Sequence, residues 1–280
     1  EEEIKKVCKN VNIEEDFIRY ALDYEEKARI DYEEDDNTIL FIIDVPVIEV
    51  ESGNKVYSTM PIGIIFVRDD YFITVSLTDN YIIQELEKKK NVITYKKSRL
   101  LLQIFYSNSE RFLSLLKRLN KETEVAEGVL KNSMKNKELL KLLSLKKSLV
   151  YFTTSLKSNE VVMEKTLRGN LIKLYEEDED LLEDVMIEVH QAIEMCNIYS
   201  NILSGTMDAF ASVISNNLNI VMKVLTVITI VMSIPNIIFS FYGMNVDGLP
   251  FASSIWIPIG IAVVACAIAT YIFSKKDMFH

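Results

Sequence analysis

Glycine and proline are scarce in these 280 residues, eight and five in all. Between Ser98 and Asn216 there is no proline, and Gly128, Gly169 and Gly205 are the only glycines. A stretch so poor in breakers has few places to turn, and long helices are predicted there. Cysteine is scarce too. Cys8, Cys196 and Cys266 stand singly with no CxxC pair, which fits a reducing compartment and excludes a disulfide scaffold. Positive charge is in deficit, 31 Lys and Arg against 41 Asp and Glu, for a net charge of −10. No nucleic-acid partner is expected, because neutralising phosphates needs clustered Lys and Arg. The first residues are Glu1-Glu2-Glu3, with no basic region before an apolar run, so no secretory signal is read. The absent initiator Met points to residues upstream. No phosphate loop, zinc-protease helix or nucleophile elbow occurs, and the chain does not read as an enzyme.

Charge vanishes altogether in two places. Between Lys223 and Asp247 lie 23 residues without a formal charge, and between Asp247 and Lys275 lie 27 more. A bilayer core needs roughly 20 apolar residues in helical form. Both runs meet that length, so the chain is expected to cross a lipid bilayer twice. Lys223 precedes the first run, Lys275 and Lys276 follow the second, and the link carries only Asp247. Basic flanks stay inside. Both termini are therefore expected to be cytoplasmic, with the link outside and the protein in the cell (inner or plasma) membrane.

The expected organisation is an α+β cytosolic domain, a long helical stalk and two spans. Residues 1–97 form the α/β domain and 98–216 the long-helix region including the stalk. Residues 217–241 form the first span, 242–253 the outer loop, 254–274 the second span and 275–280 a cytoplasmic tail. Within the first part, "NIEEDFIRYALD" reads as a helix with Asn12 as N-cap and Glu15 three residues on. "NTILFIIDVPVIEV" reads as a strand, with Pro46 pushing its end to a sheet edge. "KVYSTMPIGIIFVRDDYFITVSL" reads as strands with Arg68-Asp69-Asp70 as the last turn, and "NYIIQELEKKK" as a short helix. The final cytosolic helix is expected to begin near Asp178 and to run unbroken into the first span, about 60 residues or roughly 90 Å.

One face of that helix is unusual. Asp208, Ser212, Ser215, Asn219, Met222, Thr226, Thr229, Ser233, Asn236 and Ser240 alternate four and three apart, a strict heptad seam. Nine of the ten are polar, and they stay polar through the uncharged run. At membrane depth such side chains face other helices or water, seldom lipid. Two readings stand: hydrogen-bonding glue between packed spans, or several copies of the helix surrounding an aqueous pore. The ending "FSFYGMNVDGLP" bears on the choice. Helix C-termini carry roughly half a negative charge, and several meeting at one mouth would draw cations. Gly243 would let the chain turn and bring backbone close to an ion, and Asn245 could present a ring of neutral amide oxygens. Such a ring suits Mg²⁺, which dehydrates reluctantly and arrives with its water.

"YGMN", Tyr242 to Asn245, closes the first span ahead of a short acidic link and a second span. With "SNNLNIVMKVLTVITIV" it resembles the CorA family of magnesium channels over most of the chain. The resemblance implies a homopentameric funnel, the first span lining the pore and the second ringing it. It implies Gly243, Met244 and Asn245 as the selectivity motif, with Asn245 holding hydrated Mg²⁺. Asn219, Met222 and Asp208 become pore positions, Asp208 at the cytoplasmic end as a metal ligand. Leu225, one place off the seam at Thr226, matches a hydrophobic gate. Asp184 matches an acid of an intersubunit regulatory metal site whose partner acid is not placed. Ser233 and Asn236 depart from the family's Met and Thr, and Pro235 is displaced by one, which implies a wider, more polar middle. Mg²⁺ is expected as both substrate and regulator, with Co²⁺ or Ni²⁺ as further cargo. A zinc, cobalt or nickel transporter of the same superfamily is the alternative, and a non-conducting membrane-anchored scaffold or sensor the third reading.

Two smaller features complete the reading. "EEDEDLLED", residues 176–184, holds seven acids and no base. It is either a solvated helix start, where acids suit the dipole, or a Mg²⁺ sensor that bridges subunits. His190 and Glu194, four apart, read as surface or interface residues before a metal pair.

Overall fold

Runs of Ile, Val and Phe favour extended backbone, and four strands carry them. β1 (Arg29–Glu33), β2 (Thr38–Glu51), β3 (Asn54–Val67) and β4 (Tyr71–Ser76) form one antiparallel sheet in that order. The structure, a computed structural model, describes the chain except residues 1, 35–36, 52–53, 69, 89–91, 134–135, 169–170, 173–174, 176–177, 246–249, 251–253 and 277–280. β2 and β3 pair along their full lengths, from Thr38 with Val67 to Glu51 with Asn54. At the β3–β4 turn Arg68 takes φ 48°, and the Asp70 N–H donates to the Val67 carbonyl at 2.9 Å. That is the turn expected at Arg68-Asp69-Asp70, with Asp69 itself outside the described residues.

β1 covers β2 only from Thr38 to Ile42, so the β2 edge is open beyond that point. The open part is closed by two buried amides from the long helices α4 (Lys97–Ser133) and α5 (Asn136–Arg168). The Asp44 N–H donates to Asn159 Oδ1 at 2.8 Å. The Asp44 carbonyl accepts from Asn159 Nδ2 at 2.8 Å and from Asn108 Nδ2 at 2.9 Å. Backbone polar groups alternate sides along a strand, so Pro46, two residues on, has its missing N–H on this same unpaired side. Pro46 does mark an edge, although β2 is an interior strand over its first residues.

Successive side chains point to opposite sheet faces. On one face Phe41, Ile43, Ile62 and Ile64 form a core with Leu101, Leu102, Phe105, Val185 and Val189. On the other, Leu40, Ile42, Ile65 and Val67 lie under Cys8, Phe17 and Ile18. These last come from α1 (Glu2–Val11) and the segment through α2 (Glu15–Ala21). α2 lies so close to the sheet that a Cβ built on Gly63 would stand 2.4 Å from the Cβ of Ala21. The unit is therefore helix, sheet, helix in layers.

The N-cap expected at Asn12 is not formed. Asn12 has φ 59°, and its N–H donates to the Cys8 carbonyl at 2.8 Å. It is the left-handed residue that ends α1, a role Asn fills well. α2 starts after Glu14, which makes no side-chain cap. The short helix expected next is α3 (Tyr81–Lys88), capped by Asn80 Oδ1 accepting from the Ile82 N–H at 2.8 Å.

α6 (Glu179–Tyr242) runs 64 residues without a break, with Pro235 inside it. α7 (Trp256–Lys275) follows. The chain divides into two compact units, residues 1–206 and 207–280, and the boundary falls within α6. α6 and α7 are long and apolar enough to cross a membrane.

Candidate functional site

In the second unit, burial along α6 follows its own stripe. Val224, Val227, Val231, Ile234, Pro235, Ile238 and Tyr242 are covered to varying degrees, Val227 to 1 % exposure. α7 answers with Ile257, Pro258, Ala262, Ala265, Cys266, Ala269 and Phe273, its least exposed residues. The stripes meet where Cys266 Sγ donates to the Val231 carbonyl at 3.6 Å. The polar seam lies elsewhere. Its positions precede the covered ones by one or two residues, and at 3.6 residues per turn that places the seam about 150° away.

Every seam residue from Asp208 through Ser240 is exposed, Met222 to 53 %, and so is Leu225 beside Thr226 at 55 %. α7 of the same chain therefore does not cover the seam, and hydrogen-bonding glue between these two spans is not its role. Three hydroxyls are committed inward. Thr226 donates to the Met222 carbonyl at 2.8 Å, Thr229 to Leu225 at 2.8 Å and Ser233 to Thr229 at 2.7 Å. A hydroxyl has one proton and two lone pairs. With the proton turned back onto the helix, each presents only acceptor lone pairs outward. Over Thr226, Thr229 and Ser233 the seam thus presents oxygen acceptors, the polarity that suits a cation or its water.

At its end α6 closes by Gly243 N–H donating to the Phe239 carbonyl at 2.9 Å and Met244 N–H to the Phe241 carbonyl at 3.4 Å. A Cβ on Gly243 would stand 3.1 Å from the Phe239 carbonyl oxygen. A side chain there would require the carbonyl to give by a few tenths of an ångström, so glycine suits that close approach rather than a left-handed turn. Met244 and Asn245 are both exposed just past the helix end. Asp247 lies outside the described residues.

Pro235 lacks the N–H that would bond the carbonyl four residues back. That carbonyl belongs to Val231, the group that Cys266 reaches from α7. The sequence signals the vacancy through Pro235, but it does not name the donor, and the role of Cys266 is missed there.

In the first unit, Asp184 is exposed near the start of α6. Burial pushes the Tyr106 phenol above its usual range, and the carboxylates of Glu110, Glu188 and Asp184 push it further the same way. Like charges therefore converge on one exposed region of α4 and α6. Among the described residues no group of three or more His, Cys, Asp or Glu could hold a metal within one chain. His190 makes no metal pair with Glu194. Its Nε2 meets Glu160 Oε1 at 2.9 Å and its Nδ1 the Met186 carbonyl at 2.7 Å.

A layered α/β unit followed by two helices long and apolar enough to cross a membrane, the first with an exposed polar face, has the layout of a two-span membrane protein. The family model described as CorA-like Mg²⁺ transporter protein matches residues 1–276, and the chain belongs to that family. It is 29% identical over 285 residues to the cobalt/magnesium transport protein CorA of Methanocaldococcus jannaschii, covering 99% of this chain and 87% of the relative. The Thermotoga maritima protein of the same description is 34% identical over 144 residues, 46% of this chain and 41% of the relative. The solved structure of the CorA magnesium transporter from Methanocaldococcus jannaschii matches with a TM-score of 0.83 at 28% identity, covering 99% of this chain and 88% of that one.

Proposed function

We propose that copies of this chain, five by family resemblance, assemble around α6 as a channel for Mg²⁺ influx down the electrochemical gradient. The cargo extends to Co²⁺, as the relatives' descriptions name cobalt beside magnesium. The observation that carries the reading is the position of the seam, exposed and about 150° from the face α7 covers. Asn219 and Asn236 bring carboxamides, each with two donors and two acceptor lone pairs, more than their own helix satisfies. Facing hydrocarbon they would be costly; facing water and other copies they are not.

In this assembly Asn245, exposed at the helix end, ranks as the selectivity ligand, accepting hydrogen bonds from the inner-shell water of Mg²⁺. Gly243 and Met244 complete the mouth. Asp208, Ser212, Ser215, Asn219, Met222, Thr226, Thr229, Ser233, Asn236 and Ser240 line the path, with Leu225 as its narrow apolar point. Both termini lie in the cytoplasm. A membrane potential gives each charge about 2.3 kcal/mol per 100 mV, twice that for a divalent ion. Asp184 serves regulation: carboxylates at subunit contacts repel until cytosolic Mg²⁺ bridges them, and closed-state-selective binding shuts the pore.

Liposome uptake with an internal Mg²⁺-sensitive dye tests the reading. Flux in the native protein and its loss in Asn245→Ala are expected, and hydrophilic thiol reagents should reach cysteines placed at 229, 233 and 236. No flux, with those thiols unreachable in every condition, would return the protein to a non-conducting anchor. Zn²⁺ uptake without Mg²⁺ uptake would move it to the zinc branch. For regulation, protease sensitivity should rise on Mg²⁺ removal in the native protein and be insensitive to Mg²⁺ in Asp184→Ala.

A further inference from the structure

Proline in a bilayer-depth helix creates a definite chemical problem. Pro235 supplies no N–H, and its ring presses against the turn before it, so the Val231 carbonyl loses its helical partner. An unpaired carbonyl in hydrocarbon is costly, and such groups are re-satisfied by neighbouring helices or side chains. Here the neighbour is α7, with Cys266 Sγ 3.6 Å from the Val231 oxygen.

The placement is coherent on both sides. Val231 lies eleven residues before the end of α6 and Cys266 ten after the start of α7, so the two helices meet as an antiparallel pair. In that register Ala262, one turn from Cys266, comes level with Pro235. Ala262 is 4 % exposed, and a side chain that small leaves room for the proline ring at this level. Pro235 and Val231 lie on the covered stripe, away from the polar seam. The contact therefore holds the proline turn from behind, without adding a group to the seam.

We propose that Cys266 is a positioning residue: its thiol takes the place of the N–H that Pro235 lacks and pins the second span to the proline turn of the seam-bearing helix. The thiol is a weak donor, but it stands within reach of this carbonyl. The two spans then move as one piece at this level, and the direction of α6 beyond Pro235 toward Gly243 is set by α7. Transport consequences rest on the channel reading; the contact itself does not.

The test is a cycle on the full chain. Cys266→Ala removes the donor, Cys266→Ser keeps one, and Pro235→Ala restores the N–H that makes the thiol redundant. Unfolding in mixed micelles is followed by SDS titration, and Mg²⁺ uptake is followed in liposomes. Cys266→Ala should lower the folding equilibrium constant about three- to tenfold, within the span measured for polar contacts between membrane helices. Cys266→Ser should restore it. In the Pro235→Ala background Cys266→Ala should change nothing, and its effect on uptake should vanish there as well. An equal effect of Cys266→Ala in both backgrounds, or none in either, overturns the proposal. If no variant conducts, native protein included, yet the unfolding cycle shows the coupling, the channel reading fails and the positioning role stands.

Discussion

Asn159→Leu should loosen the sheet edge far more than Asn108→Leu, though both asparagines are 1 % exposed and both reach Asp44. Leucine is close in shape to asparagine, so neither change opens a large cavity. Asn159 holds both backbone groups of Asp44. Its loss leaves the N–H without an acceptor, about 1–3 kcal/mol, and removes one of two bonds to the carbonyl, about 1 kcal/mol. The total is roughly 2–4 kcal/mol. Asn108 gives the same carbonyl one bond, which Asn159 would still satisfy. Its own Oδ1 is buried without a partner, so replacing it also removes an unmet acceptor. The expected cost is about 1 kcal/mol or less. Hydrogen-exchange mass spectrometry on peptides spanning 40–48 reads this directly. The Asp44 amide should exchange between one and three orders of magnitude faster in Asn159→Leu, and nearly as in the native chain in Asn108→Leu. Equal acceleration, or a slower-exchanging Asn159→Leu, would refute the view that these amides stand in for a missing strand.

Three further outcomes follow from the first unit. Gly63→Ala should cost about 1–3 kcal/mol by overpacking, seen as a lower melting midpoint, and Ala21→Gly in the same chain should recover much of it because the two Cβ atoms are what collide. Burial pushes the Asp44 carboxyl above the usual range, and a hydrogen bond from Ser155 offsets this only in part. An acid raised in the fold favours its neutral form, so stability is lost as pH rises through that raised value. Asp44→Asn should therefore melt higher than the native protein at neutral pH, with the gap closing as the medium is acidified. Burial likewise pushes the Cys196 thiol up to about 12. Iodoacetamide at pH 8 should leave it unmodified in the folded protein and label it fully in SDS, as peptide mass spectrometry would show.

Much of this could be read from the chain because local chemistry and tertiary demand agree. The Ile-rich run of β2, the Arg68 turn, and the Asn80-led start of α3 carry their own signals. So does α6, whose length follows from having almost nothing to break it. Asn12 misled because an Asn before "IEED" looks like a helix start, when the residue in fact finishes a helix that was not read. The spacing of Ile4, Val7, Cys8 and Val11 was the available signal for α1. The clamp at Asp44 could not be read, because partners 64 and 115 residues away depend on how α4 and α5 lie against the sheet. At the seam the heptad was plain, but its bearing relative to α7 needed the contact between Val231 and Cys266.

The inward-turned protons of Thr226, Thr229 and Ser233 have a consequence for biogenesis. A solitary, newly made copy of α6 can enter the bilayer with these hydroxyls already content, so insertion need not wait for companions. Asn219 and Asn236 have no such self-sufficiency. In the proposed assembly their carboxamides would give a lone helix a reason to find others once it is inside, the hydroxyls easing entry and the amides driving association.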